Sequence, residues 1–325
     1  MAAADQIKSL IKSFGDGDEE RFFASAMQIA ASESRKGHTT FAQELKNLIE
    51  KAKKERSVAN LGQTKTIPLS DSRKELHELI EVFQPKIRLK DMVLSGSVEE
   101  SLTKLIKEQK NWEVLNRHNL MPRRKLLLKG PPGCGKTMTA QAIAGELGLP
   151  VFIVRLDGLI SKFMGESISK LKVIFDAMPD HRGVYLFDEF DSIGSHRNMG
   201  SDVGEIKRVL NSFLVNIEKD NSNSIIIAAT NMPESLDNAL FRRFDDIIDY
   251  PLPTKEEIVE TLDKNLRGFE FNTKVDIEKL AGEAQGLNFS DIARSCEEAI
   301  KEMLLSGNKK LKKNDLLNAL RKRKR

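Results

Sequence analysis

The chain has 325 residues, 40% of them apolar, with two cysteines and a formal net charge of +4. That length admits two or three domains with real cores, while two cysteines exclude a disulfide-built scaffold and point to a reducing, cytoplasmic compartment. Nine lysines and arginines against Asp315 give residues 307–325 a charge of +8 and leave the remainder at −4, which argues against a broad nucleic-acid-binding face.

Residues 1–10 lack the charged-then-apolar layout of a secretory signal, and no apolar run approaches the roughly 18 residues that cross a bilayer. Apolar residues then recur at helical spacing in three stripes: Ile7, Leu10, Ile11 and Phe14; Phe22, Phe23, Ala26, Ile29 and Ala30; Phe41, Leu45, Leu48, Ile49 and Ala52. Three short amphipathic helices make a small N-terminal domain over residues 1–56, either a plain bundle or a docking module. Residues 57–84 gather Gly, Pro, Ser and Thr and read as a linker, with helical rhythm resuming from Leu76 to Phe83. A long helix is predicted from Val98 to His118, capped by Ser97 with Glu100 three residues on.

From residue 125 the pattern alternates strand and helix. Leu126–Leu128, Val151–Val154, Val184–Phe187, Ile225–Ala229 and Asp246–Asp249 read as five strands of a parallel sheet covered by helices on both faces, an α/β domain over 85–252. Intervening helices are expected at 167–177 and 205–218. Beyond Pro253 only helices follow, at about 255–267, 276–284, 290–305 and 314–322, forming a small all-α domain over 253–325.

The first of these strands runs into Gly130-Pro131-Pro132-Gly133-Cys134-Gly135-Lys136-Thr137, and Met138 continues into a helix. Strand, glycine loop and helix are the setting in which backbone N–H groups cradle phosphates at a helix N-terminus. Lys136 supplies a mobile charge for β- and γ-phosphates, and the Thr137 hydroxyl suits Mg²⁺. The stretch from Gly130 to Met138 is therefore the expected ATP-binding segment. Asp188 and Glu189 end the strand Val184–Phe187, where open α/β sheets place their sites. Asp188 suits Mg²⁺ and Glu189 suits activation of a water. Asn231, after the strand Ile225–Ala229, can hold that water or donate to the γ-phosphate; alone it would read as a turn former.

Together these segments resemble the AAA+ ATPases, in particular the AAA clade of katanin, spastin and FtsH-type proteases. The likeness covers about residues 87–325: GPPGCGKT, VYLFDEFDSIG and IIIAATN match the clade's two nucleotide motifs and its sensor, in order. It implies a phosphate-binding-loop fold with a helical lid, ATP and Mg²⁺ as ligands, and a homo-oligomeric ring, a hexamer in the family. Leu236–Asp245 resembles the arginine-finger segment, which makes Arg242 and Arg243 catalytic toward a neighbouring subunit's nucleotide; the alternative is local pairing with Asp245 and Asp246. Gly286–Ile292 resembles the lid signature and brings Ser290 to the nucleotide, with departures at Asn288, Phe289 and Ser290. Ser161–Ser167 resembles the first pore loop, so that Lys162, Phe163 and Met164 would grip a protein substrate; generic chemistry alone would bury Phe163. A second pore segment falls at 196–204.

The resemblance implies an ATP-driven protein remodeller. The rival is a regulatory switch that recruits a separate effector, since the N-terminal helices resemble those of small bacterial AAA proteins paired with a subtilisin-like serine protease and linked to defence against phage or foreign DNA. No H-E-x-x-H or G-x-S-x-G occurs in the chain, so any proteolysis belongs to a partner. A nucleic-acid motor rests only on the basic tail, whose plain reading is a solvated, poorly ordered end. No membrane partner is implied.

Overall fold

The computed structural model describes residues 25–30, 32, 37–38, 42–49, 79–154, 156, 166–191, 203–236, 238–272 and 276–324. The chain divides into two compact units, Met1–Ile67 and Pro68–Arg325. Within the first, residues 25–30 and 42–49 are helical, and Ala30 and Ile49 bury against Ala26 and Leu45. Leu48, expected on the third stripe's buried face, is exposed instead. The first stripe and residues 22–23 lie outside the described residues, as do residues 57–78 of the linker.

The second unit is built on a sheet of six strands: β1 (Ile80–Phe83), β2 (Lys125–Lys129), β3 (Val151–Val154), β4 (Val184–Phe187), β5 (Ile225–Thr230) and β6 (Asp246–Asp249), in the order β1-β3-β4-β5-β2-β6. All neighbours are parallel except β1, which runs antiparallel to β3 with Ile80 opposite Val154. The mixed α/β class matches the expectation, and the sheet gains a strand. Residues 80–83, read as helical and as linker, form β1. Ile-Glu-Val-Phe is a short apolar stretch with a β-branched and an aromatic residue, and pairing against β3 decides its state.

The central strands are apolar throughout because both faces are covered: every residue of β4 and β5 is buried. Alternate side chains feed two separate cores. Leu127, Tyr185, Phe187, Ile226 and Ala228 pack beneath α4 (Glu166–Ala177) and α5 (Val203–Lys219), where Phe175, Phe187, Phe190 and Phe213 make edge and stacked ring contacts. Leu126, Leu128, Leu186, Ile225 and Ile227 face the opposite way, onto α1 (Gly96–Lys110) and α3 (Lys136–Leu147).

The long helix expected over 98–118 is two helices. α1 starts two residues earlier, after Ser95, so Ser97 lies inside it. It stops at Asn111, whose side-chain amide donates to the Lys107 carbonyl at 2.8 Å, and α2 (Trp112–Arg117) follows. An amide that satisfies a helix's last carbonyls favours a stop over continuation.

After the short helix α6 (Asn238–Phe241) and β6, the lid comprises α7 (Lys255–Leu266), α8 (Ile277–Ala284), α9 (Phe289–Leu305) and α10 (Lys313–Arg323). It has its own core, which includes Ile258, Leu262, Leu280, Ile292, Cys296, Leu316 and Leu320. The basic end is therefore not a loose tail. Arg321 pairs with Glu283 at 3.3 Å, and Lys322 and Arg323 pair with Glu298 at 3.3 and 2.8 Å. Hydrogen bonds from Arg321 and Arg323 hold those two carboxyls below their ordinary range. With Lys310 on Glu270 and Lys324 on the Glu283 carbonyl, five of the tail's cations are engaged within the lid, which weakens the nucleic-acid reading further.

Gly145 on α3 lies under the chain that leaves β1: a Cβ there would stand 2.1 Å from the Ile87 carbonyl oxygen. Ala normally stabilises a helix interior relative to Gly by about 1 kcal/mol. Here Gly145→Ala should instead lower unfolding free energy by about 1–3 kcal/mol, because backbone must move. Urea denaturation measures the sign, and a gain in stability would overturn the packing argument.

Candidate functional site

Three strand ends meet at the site. Registration of Lys129 with Thr230 brings the C-terminal ends of β2 and β5 level, and that of Phe187 with Ala228 ends β4 two residues short of them, so the loops after all three strands open on the same side of the sheet. The loop between β2 and α3 winds through left-handed residues, Gly133 at φ +73° and Gly135 at φ +95°, the latter just before the first helical residue, Lys136. That winding needs glycine.

Lys136 is 6% exposed, and its ammonium donates to the Gly130 carbonyl at 2.7 Å, the Pro131 carbonyl at 2.8 Å and Asn231 Oδ1 at 2.8 Å. Burial pulls its pKa down, opposed by the charges of Cys134, Asp188 and Asp191. Thr137 Oγ1 donates to Asp188 Oδ2 at 2.6 Å, while the Glu189 N–H donates to Asp188 Oδ1 at 2.9 Å. Glu189 has φ +49°, in the left-handed region, and its side chain is exposed. A non-glycine residue held there costs about 1–3 kcal/mol, a strain that clusters at functional positions. Asp191 Oδ1 accepts from Thr230 Oγ1 at 3.1 Å and from the Asn231 N–H at 2.9 Å, which fixes the residue that in turn holds Lys136.

A cavity of about 650 Å³ lies between this floor and the lid. Pro132, Gly133, Cys134, Gly135, Lys136, Thr137, Met138, Asp188, Glu189, Asn231 and Ser290 are brought together along its lining. Gly130 and Pro131 are not among its lining residues and act through the carbonyls that hold Lys136. The remaining wall escaped sequence reasoning: Asp91, Met92 and Val93 before α1, Thr261, Lys264 and Asn265 on α7, and Phe289 and Ala293 on α9. Lys264 ties lid to wall, donating to the Met92 carbonyl at 2.7 Å and the Lys90 carbonyl at 3.3 Å. Asp191 was also missed, though its place three residues past Asp188 is a usable signal.

The Thr137 hydroxyl and Asp188 carboxylate make a convergent pair of hard oxygen donors. The described residues hold no cluster of three or more His, Cys, Asp or Glu side chains suited to a metal, so the pair fits a cation like Mg²⁺ that draws its other ligands from phosphate and water. Arg242 and Arg243 lie on the exposed surface away from the cavity lining. Arg243 pairs with Glu218 at 2.7 Å. The anticipated partners are taken: Asp245 accepts from the Arg124 and Lys125 N–H groups and Asp246 from Arg123. Lys162, Phe163, Met164 and residues 196–202 lie outside the described residues.

A strand–glycine loop–helix unit, facing carboxylates that follow β4 and roofed by a helical lid, defines a phosphate-binding-loop nucleoside triphosphatase. Comparison with known proteins narrows the class. The family model for "ATPase family associated with various cellular activities (AAA)" matches residues 126–252. An uncharacterized AAA family ATPase, y4kL, of Sinorhizobium fredii is 33% identical over 320 residues, covering 98% of this chain and 95% of that protein. The ATP-dependent zinc metalloproteases FtsH 1 of Conexibacter woesei and FtsH of Parabacteroides distasonis are each 32% identical, covering 68% and 72% of this chain but only 35% and 36% of their own lengths. The chain belongs to the AAA family of ATPases and hydrolyses ATP.

Cys134 is not the reactive thiol that its neighbours alone would make it. A thiol beside Lys136 and loop N–H groups invites a thiolate, yet Cys134 is 2% exposed and burial raises its pKa more than the Lys136 charge lowers it. Cys296, in the lid core, is pushed up to about 12. With both pKa values above the ordinary thiol range, the reactive thiolate is scarce at pH 8 and increases only as pH rises further. Native protein should therefore react with iodoacetamide at least about tenfold more slowly than the same protein in guanidinium, and equal rates would refute the assignment.

Proposed function

We propose that the chain couples ATP hydrolysis to remodelling of a protein substrate, as a member of a homo-oligomeric ring. The observation that carries this reading is the composition of the cavity wall. Its cations are Lys136 and Lys264, with no arginine among the described lining residues, while Arg242 and Arg243 are exposed elsewhere on the chain. Charge that develops on a transferring phosphoryl group is best met by a planar guanidinium, and a neighbouring copy is the natural source. The family's hexamer supplies such a neighbour.

In this mechanism the loop N–H groups of Gly133 to Thr137 bind the β- and γ-phosphates. Thr137 and Asp188 would hold Mg²⁺, which when bound neutralises phosphate charge. Lys136 exchanges carbonyl acceptors for phosphate oxygens. Glu189 takes a proton from the attacking water, and Asn231 orients that water. Ser290 closes the lid side. Glu189→Gln keeps shape but removes the base, so turnover should fall at least about a hundredfold while ATP binding persists. Near-normal turnover would remove Glu189 from this role.

The mechanical step is assigned to Lys162, Phe163 and Met164, where an aromatic beside a flexible Met offers sequence-tolerant apolar grip. A ring that only switches a separate effector, such as a subtilisin-like serine protease in antiviral defence, is the competing reading. Phe163→Ala decides between them through melting temperature, basal ATPase and in-cell function. The expected result is a folded, active ATPase that fails on its target. Undiminished function would favour the switch, and joint loss of ATPase and of about 3–5 kcal/mol of stability would place Phe163 in a core. No helix of the described residues is long and apolar enough to cross a membrane, and the site is suited to a reducing, cytoplasmic setting that keeps Cys134 free.

A further inference from the structure

The turn that opens α9 leans on the phosphate loop at two places and on the adjoining core at a third. The Ser290 N–H donates to the Gly133 carbonyl at 3.1 Å. The Asn288 side chain stands against the Gly133 backbone: a Cβ on Gly133 would lie 2.5 Å from Asn288 Oδ1 and 2.6 Å from its Cγ. Phe289 packs, half-buried, against the core that contains Val98, Cys134 and Tyr250.

We propose that Asn288–Ser290 is a positioning element for the phosphate loop, which holds the Gly133–Cys134 peptide so that the Cys134 N–H faces a bound phosphate. In a planar trans peptide the C=O of one residue and the N–H of the next point to opposite sides. A Gly133 carbonyl tied to the lid therefore turns the Cys134 N–H away from the lid turn, toward the hollow of the loop. Glycine alone does not fix this orientation, because its backbone passes readily between left- and right-handed states. Asn288 removes the space into which the Gly133 peptide would rotate. Its own amide is immobilised, since Oδ1 also accepts from the Asp291 N–H at 2.8 Å as the cap of α9. Phe289 anchors the whole turn, which cannot slide without withdrawing an aromatic ring from the core. Ordering of the loop is thus supplied by the lid before ligand arrives, and affinity gains accordingly. By reciprocity, phosphate binding steadies the lid.

Two variants of the full chain test this. Asn288→Ser keeps an oxygen that caps α9 but withdraws the amide from Gly133. Ser290→Pro deletes the one N–H donor in the first helical turn, where no intrahelical bond is lost. ADP and adenosine affinities are measured by calorimetric titration, with melting temperature recorded without nucleotide. ADP binding should weaken about five- to twentyfold in each variant, while in Asn288→Ser adenosine binding should hold within twofold and the melting temperature should stay near the parent's. ADP affinity within twofold of the parent in Asn288→Ser overturns the proposal. So does an equal loss for adenosine and ADP, which would mark general deformation. If Ser290→Pro proves unstable, Asn288→Ser decides alone.

Discussion

Removing an ammonium from water is costly unless each proton finds an acceptor, and the buried Lys136 meets that demand with two carbonyls of its own loop and the amide oxygen of Asn231. Those contacts tie the end of β2 to the end of β5. Asp191 then ties β5 to the residue group that follows β4, through Thr230 and Asn231. The same loop sits over Tyr250, whose hydroxyl meets Thr139 of α3 at 2.7 Å inside the core. Phosphate chemistry here depends on one desolvated charge whose partners are drawn from the ends of two strands.

Strand register is what makes those partners available. A shift of one residue between β2 and β5 would move Asn231 by a full step and turn every inward side chain to the other core. The two apolar clusters on either face resist that shift, so packing distant from the nucleotide sets the catalytic geometry. Strain at Glu189 fits the same account: neighbouring contacts, among them the Phe190 N–H on the Ala229 carbonyl at 2.8 Å, hold the chain where a non-glycine residue would not rest by itself.

Legibility in the sequence followed how local each signal was. The loop from Gly130 to Thr137, the paired carboxylates at 188 and 189, and Asn231 sit beside continuous apolar strands, and each was readable from its neighbours. The lid helices were placed within a residue or two because their periodicity is uninterrupted. Most of what failed was non-local. β1 takes its state from pairing with β3, whereas α1 stops on a local contact, Asn111 folding back on Lys107. Asp91–Val93 and Lys264 become cavity wall only through a contact between segments more than 170 residues apart. The state of Cys134 is hidden for a different reason. Its charged neighbours are visible in the sequence, but the depth of its burial is not.

β1 also bears on where the ATPase unit can be cut. It is a four-residue edge strand, and its antiparallel pairing occupies the outer N–H and C=O groups of β3. A fragment begun at residue 85, where composition alone draws the boundary, would strip that cover and leave β3 as a bare, apolar rim. Such a rim templates pairing with other chains. The short strand before the nucleotide machinery thus serves as a hem on the sheet, and the smallest well-behaved ATPase fragment has to begin ahead of Leu79.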